Sequence, residues 1–247
     1  MRPRARIRIG TSGWQYPHWR GVVYPRELPT SAWFDFYARH FDTVEVNNTF
    51  YRLPSEAAFR HWHDQAPRGF LYALKLSRTI THLKKLKDAR ESLDRFLAHA
   101  RLLGRHRGPL LVQLPPRWKP NPGRLDAFLG LLPGGWRVAV EVRDARWLCE
   151  AVYAVLRAHD AALVIHDLVE DHPWVETASW GYLRFHGGPA GDYAGEYSEA
   201  ELAAVAERIR DALGRGHAMY AYFNNDVGGH AFRNALTLKG MLGEAYA

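Results

Sequence analysis

Cysteine is nearly absent from this chain. Cys149 stands alone among 247 residues, so no disulfide can form within it. A solitary thiol fits a reducing compartment, and a cytoplasmic setting is expected. No run of about 18 uncharged apolar residues occurs, so the pattern holds no membrane-spanning helix and no membrane partner is expected. From Met1 to Arg8 arginines alternate with other residues and lead into Ile7–Ile9 without an apolar h-region, unlike a signal peptide. No Pro/Ser-rich linker and no shift in composition divides the chain. The dinucleotide fingerprint G-x-G-x-x-G is also missing: the first strand is followed by Gly10-Thr11-Ser12-Gly13-Trp14 and a long aromatic loop.

What is present is an ordinary globular composition. Apolar residues make up 47% and charged residues 24%, enough apolar side chain to offset the entropy of ordering, so disorder is excluded. The net charge is +7, but Arg2, Arg4, Arg6 and Arg8 supply four of those charges. A solvated basic surface is the preferred reading, and a nucleic-acid footprint stays open beside it.

Strand-like and helix-like segments alternate from end to end. The strands are Arg6–Gly10, Thr43–Asn47, Phe70–Leu76, Leu110–Leu114, Arg137–Val142, Ala162–Asp167, Tyr182–His186 and His217–Phe223. Helices are expected at Thr30–His40, after Ser55, at Asp88–Leu103, Asn121–Leu132, Leu148–His159, Ser198–Leu213 and Gly229–Leu242, with a weak one within Val169–Ser179. Repeated β-then-α units force parallel strands joined by right-handed crossovers. With no dinucleotide fingerprint for an open sheet, the expectation is a single α/β domain over 1–247, a (β/α)8 TIM-like barrel.

Polar residues interrupt strands that should be apolar. Alternation places Val44 and Val46 opposite Thr43, Glu45 and Asn47, and Val138, Val140 and Val142 opposite Arg137, Glu141 and Arg143. Likewise Tyr72, Leu74 and Leu76 oppose Lys75, and Leu183 and Phe185 oppose Tyr182, Arg184 and His186. Branched aliphatics belong against the helices, so the charged faces point inward. They also sit late in their strands, where the active sites of such barrels gather. An interior salt-bridge network is the bland alternative, but desolvating each ion costs several kcal/mol, which favours a functional site.

Loops after the strands add aromatics interleaved with cations, from Trp14 and Trp19 through Tyr51-Arg52 and Arg117-Trp118 to Arg146-Trp147. Such sets suit flat ligands, although each single Trp is more readily a packing residue. His186-Gly187-Gly188-Pro189 after the seventh strand, and Asn224-Asn225-Asp226 with Gly228-Gly229 after the eighth, resemble a phosphate cup, or else ordinary turns. A metal held by Glu45, Glu141, Asp167, His186 and Asp226 is disfavoured by the arginines and lysine sharing that space. No metal ligand is therefore assigned and no cofactor is specified. The run Arg78, Lys84, Lys85, Lys87, Arg90 is either a phosphate-backbone track or a solvated loop.

Several of these stretches occur together in a known pattern. Ile9-Gly10-Thr11-Ser12-Gly13-Trp14, Glu45-Val46-Asn47-Asn48-Thr49-Phe50-Tyr51-Arg52, Lys75 with Thr81-His82, Gln113-Leu114-Pro115-Pro116, Glu141-Val142-Arg143 with Trp147, Asp167, Arg184-Phe185-His186-Gly187 and Phe223-Asn224-Asn225-Asp226 resemble the YecE-like family. That family is number 72 among the domains of unknown function. The resemblance runs over nearly the whole chain, with Val142 standing where the family has Phe or Pro. It implies a TIM-like barrel, loosely akin to sugar isomerases and endonuclease-IV-type barrels, and no established activity.

The functional expectation is an enzyme, of isomerase, lyase or hydrolase type, acting on an anionic, hydroxyl-rich small molecule such as a sugar phosphate or nucleotide. Glu45, Lys75 and Glu141 are the catalytic candidates. Glu45 would be the base beside Lys75, Lys75 an ion-pair partner or Schiff-base former, and Glu141 a base or an anchor for arginines. Arg143 and Arg184 would clamp the anion, with Trp14, Asn47, Tyr51, Asp167, His186, Asn224 and Asn225 as further binding residues. The alternative is a nucleic-acid-binding protein or nuclease working through the basic loops and aromatic rim. Oligomeric state is not specified by the pattern.

Overall fold

A computed structural model describes residues 6–188 and 193–243. Arg2 and Arg4 of the basic start and Pro189 of the seventh loop lie outside the described residues. The strands are β1 (Ile7–Thr11), β2 (Thr43–Val46), β3 (Leu71–Lys75), β4 (Arg107–Gln113), β5 (Val138–Glu141), β6 (Ala162–His166), β7 (Trp180–Phe185) and β8 (Ala218–Phe223). They follow the order β1-β8-β7-β6-β5-β4-β3-β2. This is the sequential parallel order of an α/β (β/α)8 TIM-like barrel, as the alternation of segments predicts. Parallel strands are covered on both faces, and β2 (Thr-Val-Glu-Val) and β5 (Val-Ala-Val-Glu) are buried at every position.

The helices are α1 (Trp33–Ala38), α2 (Asn48–Tyr51), α3 (Glu56–Gln65), α4 (Arg90–Arg101), α5 (Pro122–Leu129), α6 (Glu150–Ala158), α7 (Glu199–Gly214) and α8 (His230–Leu242). Their starts follow local chemistry. Ser198 accepts from the Glu201 amide while Glu201 accepts from the Ser198 amide, a complete capping box for α7. Ser55 caps α3 through the Ala58 amide, and Asn121 caps α5 through the Arg124 amide just before Pro122. Each such cap contributes about 1 kcal/mol.

The chain divides into two compact units. One comprises Met1–Glu45, His166–Leu168 and Trp180–Ala247. In it β1 pairs with β8 and β8 with β7, in parallel register from Ile7↔Met219 to Thr11↔Phe223 and from Trp180↔Ala218 to Phe185↔Phe223. Gly10 is required here by close approach, because a Cβ would stand 2.3 Å from the Thr43 carbonyl oxygen and 2.9 Å from the Tyr37 hydroxyl. That hydroxyl binds the Thr11 amide at 2.9 Å and the Thr43 carbonyl at 3.0 Å, tying α1 to both strands.

The other unit comprises Val46–Ile165 and Val169–Ser179. Here β3, β4, β5 and β6 pair in sequence, with Gln113 opposite Glu141. Tyr72 turns its hydroxyl to the Trp62 carbonyl of α3 at 2.9 Å, so its face of β3 meets the helices and Lys75 lies on the opposite one.

Two expectations are corrected. No helix forms within Val169–Ser179, where residues 172–177 run without regular structure. Pro173 cannot donate and biases His172 away from helical backbone. Instead Thr177 Oγ1 donates to the Ala161 carbonyl at 2.7 Å and accepts from the Leu163 amide at 2.8 Å, and Asp160 accepts from the Ser179 amide at 2.6 Å. Arg137, expected on the inward face with Glu141, precedes β5 by one residue and is exposed. Two short elements were not anticipated: α2 directly after β2, and a π-helical turn at Thr79–Leu83 after β3.

Candidate functional site

Polar side chains gather at the C-terminal ends of the strands in two groups, one in each unit. In the first, Glu45 of β2 and Arg184 of β7 both have side chains with 0% exposure. Arg184 Nη2 donates to Glu45 Oε1 at 2.6 Å and Nε to Oε2 at 3.0 Å, while the Tyr182 hydroxyl donates to Oε2 at 2.6 Å. Burial, and then the Glu45 charge, push the Tyr182 phenol well above its ordinary range, so it stays a donor. The carboxylate that the sequence placed beside Lys75 as a base is thus enclosed by Arg184 and Tyr182. Arg184, expected as an anion clamp, points three of its bonds at that carboxylate.

His186 continues the inward face of β7. Its Nε2 lies 3.4 Å from Arg184 Nη1 and its Nδ1 lies 3.1 Å from the Asn224 amide. The backbone amides that resembled a phosphate cup are filled from within the chain. Asp167 accepts from the amides of His186 at 3.0 Å and Gly188 at 2.7 Å, and the Tyr197 hydroxyl accepts from the Gly187 amide at 2.7 Å while donating to Asp167. Gly187 and Gly188 have φ of 108° and 60°, positive values that bring the His186 and Gly188 amides to one carboxylate while the Gly187 amide meets the Tyr197 hydroxyl. That carboxylate is Asp167. Asn225 is buried, and its Nδ2 donates to Gly195 O at 2.7 Å and Asn234 Oδ1 at 3.0 Å, so it ties a loop to α8.

The tryptophans pack. Trp14 is buried edge-on to Phe34 at 5.6 Å, Trp19 donates to the Asp226 carbonyl at 2.8 Å, and Trp147 donates to the Trp118 carbonyl at 2.6 Å. The expected aromatic rim is therefore mostly interior, as the single-residue reading of each Trp implied. Tyr51 differs: it is 69% exposed and stands edge-on against Phe50 at 5.1 Å.

The second group lies at the ends of β3, β4 and β5. Thr49 Oγ1 donates to the Lys75 carbonyl at 2.7 Å, fixing α2 on β3 and seating Phe50 below the Lys75 ammonium, 4.3 Å from the ring centre. Asn47 immediately precedes α2. Glu141 is fully enclosed and accepts from Gln113 Nε2 at 2.9 Å and from Arg143 Nε. Arg143 is 15% exposed and, among the described residues, no other bond reaches its two Nη groups. His82, on the π-helical turn, meets Phe50 edge-to-face at 5.0 Å and has Nδ1 2.9 Å from Thr81 Oγ1. Its imidazole is pushed down to about 4 by burial and by the charges of Lys75, Arg78 and Arg143, with Glu141 opposing.

Gln113 and His82 were not among the expected site residues. Gln113 was legible as the single polar residue closing the apolar run Leu110-Leu111-Val112. His82 stands in the family pattern beside Thr81, but periodicity gives it no face, because none marks a π-helical turn. Among the described residues, no three His, Cys, Asp or Glu side chains form a set that could hold a metal ion. No helix among them is long and apolar enough to cross a membrane.

Fold and strand-end chemistry define a (β/α)8 protein whose buried carboxylates each hold an arginine. The chain belongs to DUF72, a family of proteins of unknown function, which it matches over residues 8–247. It is 31% identical over 147 residues to the UPF0759 protein YecE of Escherichia coli K12, a match covering 58% of this chain and 51% of that one, so the chain spans about half the length of the curated relatives it matches. A DUF72 family protein from Thermotoga maritima has a crystal structure with TM-score 0.86 and 30% identity, the match covering 97% of this chain and 100% of that one. A DUF72 protein from Enterococcus faecalis shares the fold at TM-score 0.80 and 20% identity, over 96% of this chain and 95% of that one.

Proposed function

We propose that this protein binds an anionic, hydroxyl-rich small molecule, of sugar-phosphate or nucleotide type, at the ends of β3 to β5 and acts on it by general acid–base chemistry. The observation that carries this reading is Arg143. Gln113 orients Glu141, Glu141 holds Arg143 through Nε, and the Nη groups remain for a partner from outside. A guanidinium fixed in this way is pre-organised for paired hydrogen bonds to a phosphate or carboxylate. Lys75 and Arg78 add positive charge opposite the carboxylate of Glu141. The exposed ring of Tyr51 offers a face on which a sugar or base stacks, and Asn47 supplies an amide for hydroxyls.

In this reading Glu141 positions Arg143 and Glu45 positions Arg184, which leaves Lys75 of the three catalytic candidates to move a proton. Isomerase, lyase and hydrolase reactions all fit such a site. The exposed basic run is partly answered by its own acids, with Lys87 3.9 Å from Asp88 and Arg90 3.8 Å from Asp94, which supports the solvated-loop reading over a nucleic-acid track.

A thermal-shift panel of phosphates, sugar phosphates, nucleotides, oligonucleotides and divalent metals tests the proposal. A ligand at about one hundred times its Kd adds roughly 2.7 kcal/mol of apparent stability. A shift with a sugar phosphate or nucleotide that disappears in Arg143→Gln is expected. A shift with oligonucleotides or metals alone would overturn the reading.

A further inference from the structure

Thr81 Oγ1 lies 3.3 Å from the Ser77 carbonyl and 2.9 Å from His82 Nδ1. The Ser77 carbonyl only accepts, so with the Thr81 hydroxyl proton turned to it His82 Nδ1 is the donor to the Thr81 oxygen. In this arrangement Nδ1 carries the proton and Nε2 the lone pair. Among the described residues no hydrogen bond is made to Nε2. The ring itself is held, by Phe50 on one edge and by a π-helical turn, a distortion that recurs at functional sites. Its charged surroundings come from Lys75 at the end of β3, Arg78 in the turn after it and Arg143 after β5, with Glu141 of β5 opposing, while α2 places the uncharged Phe50 against the ring.

An imidazole whose Nδ1 is engaged by Thr81, whose Nε2 faces no bonding partner among the described residues and whose setting is cationic is poised to gain a proton when that setting is neutralised. We propose that His82 is a ligand-contacting residue of the Lys75–Arg143 site that takes up one proton as a dianion binds, so that the site selects doubly charged oxyanions of the phosphate-monoester type. This rests on the anion-site reading above and names the charge state of its ligand. The only covalent change is a proton transfer: an O–H bond of a solvent hydronium or buffer acid breaks, an N–H bond forms at Nε2, and the imidazolium then donates to an oxygen of the bound anion. Coupling is reciprocal, so a ligand that raises the proton affinity of His82 must itself bind more tightly as protons are supplied.

Sulfate is the probe, because it keeps both charges across the working range and cannot itself account for the proton. Its affinity is measured by NMR titration between about pH 7.5 and 5, a range chosen around the ordinary ionisation of histidine. Proton uptake is read by calorimetry in two buffers of different ionisation enthalpy, and the His82 ring nitrogens are observed directly in the wild-type protein. The expected result is sulfate affinity that rises on acidification with a limiting slope of about tenfold per pH unit, with uptake of up to one proton and the appearance of a proton on Nε2. His82→Asn, which retains a donor for Thr81, should bind sulfate without this slope. Arg143-dependent binding with no proton uptake would overturn the role of His82 while leaving the anion site intact. No sulfate binding by the wild-type protein would overturn the anion site and this inference with it.

Discussion

Replacing Glu45 by Gln keeps the shape of the side chain and removes its charge, leaving the Arg184 guanidinium in a fully enclosed place without the carboxylate it is bonded to. Glu45 accepts from Nε and Nη2 of Arg184 and from the Tyr182 hydroxyl. Removing one member of a buried ion pair costs about 3–5 kcal/mol, because the remaining charge stays desolvated. In a chain of this size each kcal/mol moves Tm by about 2–4 °C, so Glu45→Gln should melt roughly 6–20 °C below the wild type. Calorimetry and urea unfolding read this directly. Tyr182→Phe, which removes one bond to a charged acceptor, should cost less, about 1.5–3 kcal/mol. Joint replacement by Glu45→Leu and Arg184→Met should cost less than the two single changes added together, since both charges leave at once. A Glu45→Gln protein as stable as the wild type, within about 1 kcal/mol, would refute the view that this pair is a buried anchor.

Three further outcomes are expected. Gly10→Ala should lose about 1–3 kcal/mol or more, or fail to accumulate as folded protein, because its Cβ would lie 2.3 Å from the Thr43 carbonyl oxygen and backbone cannot easily move aside. Asp167→Ala should destabilise the loop after β7 and speed hydrogen exchange at the amides of His186 and Gly188, whose acceptor it removes. His82 binds its proton less readily in the folded chain, at about 4 rather than 6.5, so the unfolded chain gains a proton first and wild-type stability falls as pH drops through that window. His82→Asn should therefore lose less stability than the wild type over that range, and an identical loss in both proteins would contradict the assignment.

How far the sequence carries can be judged from particular residues. Period-two alternation placed Glu45 and Arg184 on inward faces, late in their strands, and the structure encloses both. It could not say which charges pair, because alternation fixes a face and not a neighbour. Consecutive strands set Lys75 beside Glu45 in the sequence reading, whereas the carboxylate is bonded by Tyr182 and Arg184 of β7. Glu141 as an anchor for an arginine was legible in the close spacing Glu141-Val142-Arg143, but Gln113 at its other side comes from β4 and needs the strand register. The paired glycines after β7 did mark an anion nest. That its anion is Asp167 depends on loop closure, which leaves no local signature. The expectation of a weak helix before Ser179 gave Pro173 no weight, and Thr177 shows what replaces that helix, side-chain bonds to the backbone on either side of the start of β6.

The central claim is that Arg143, held through Nε by Glu141, presents its outer guanidinium nitrogens to an anion. Crystals soaked in selenate test it most directly, since the anomalous signal of selenium locates the anion without ambiguity. The account predicts a selenate within hydrogen-bonding distance of the Arg143 Nη groups, lost in Arg143→Gln. Selenate found only elsewhere on the molecule, or retained at the same place after that substitution, would contradict it.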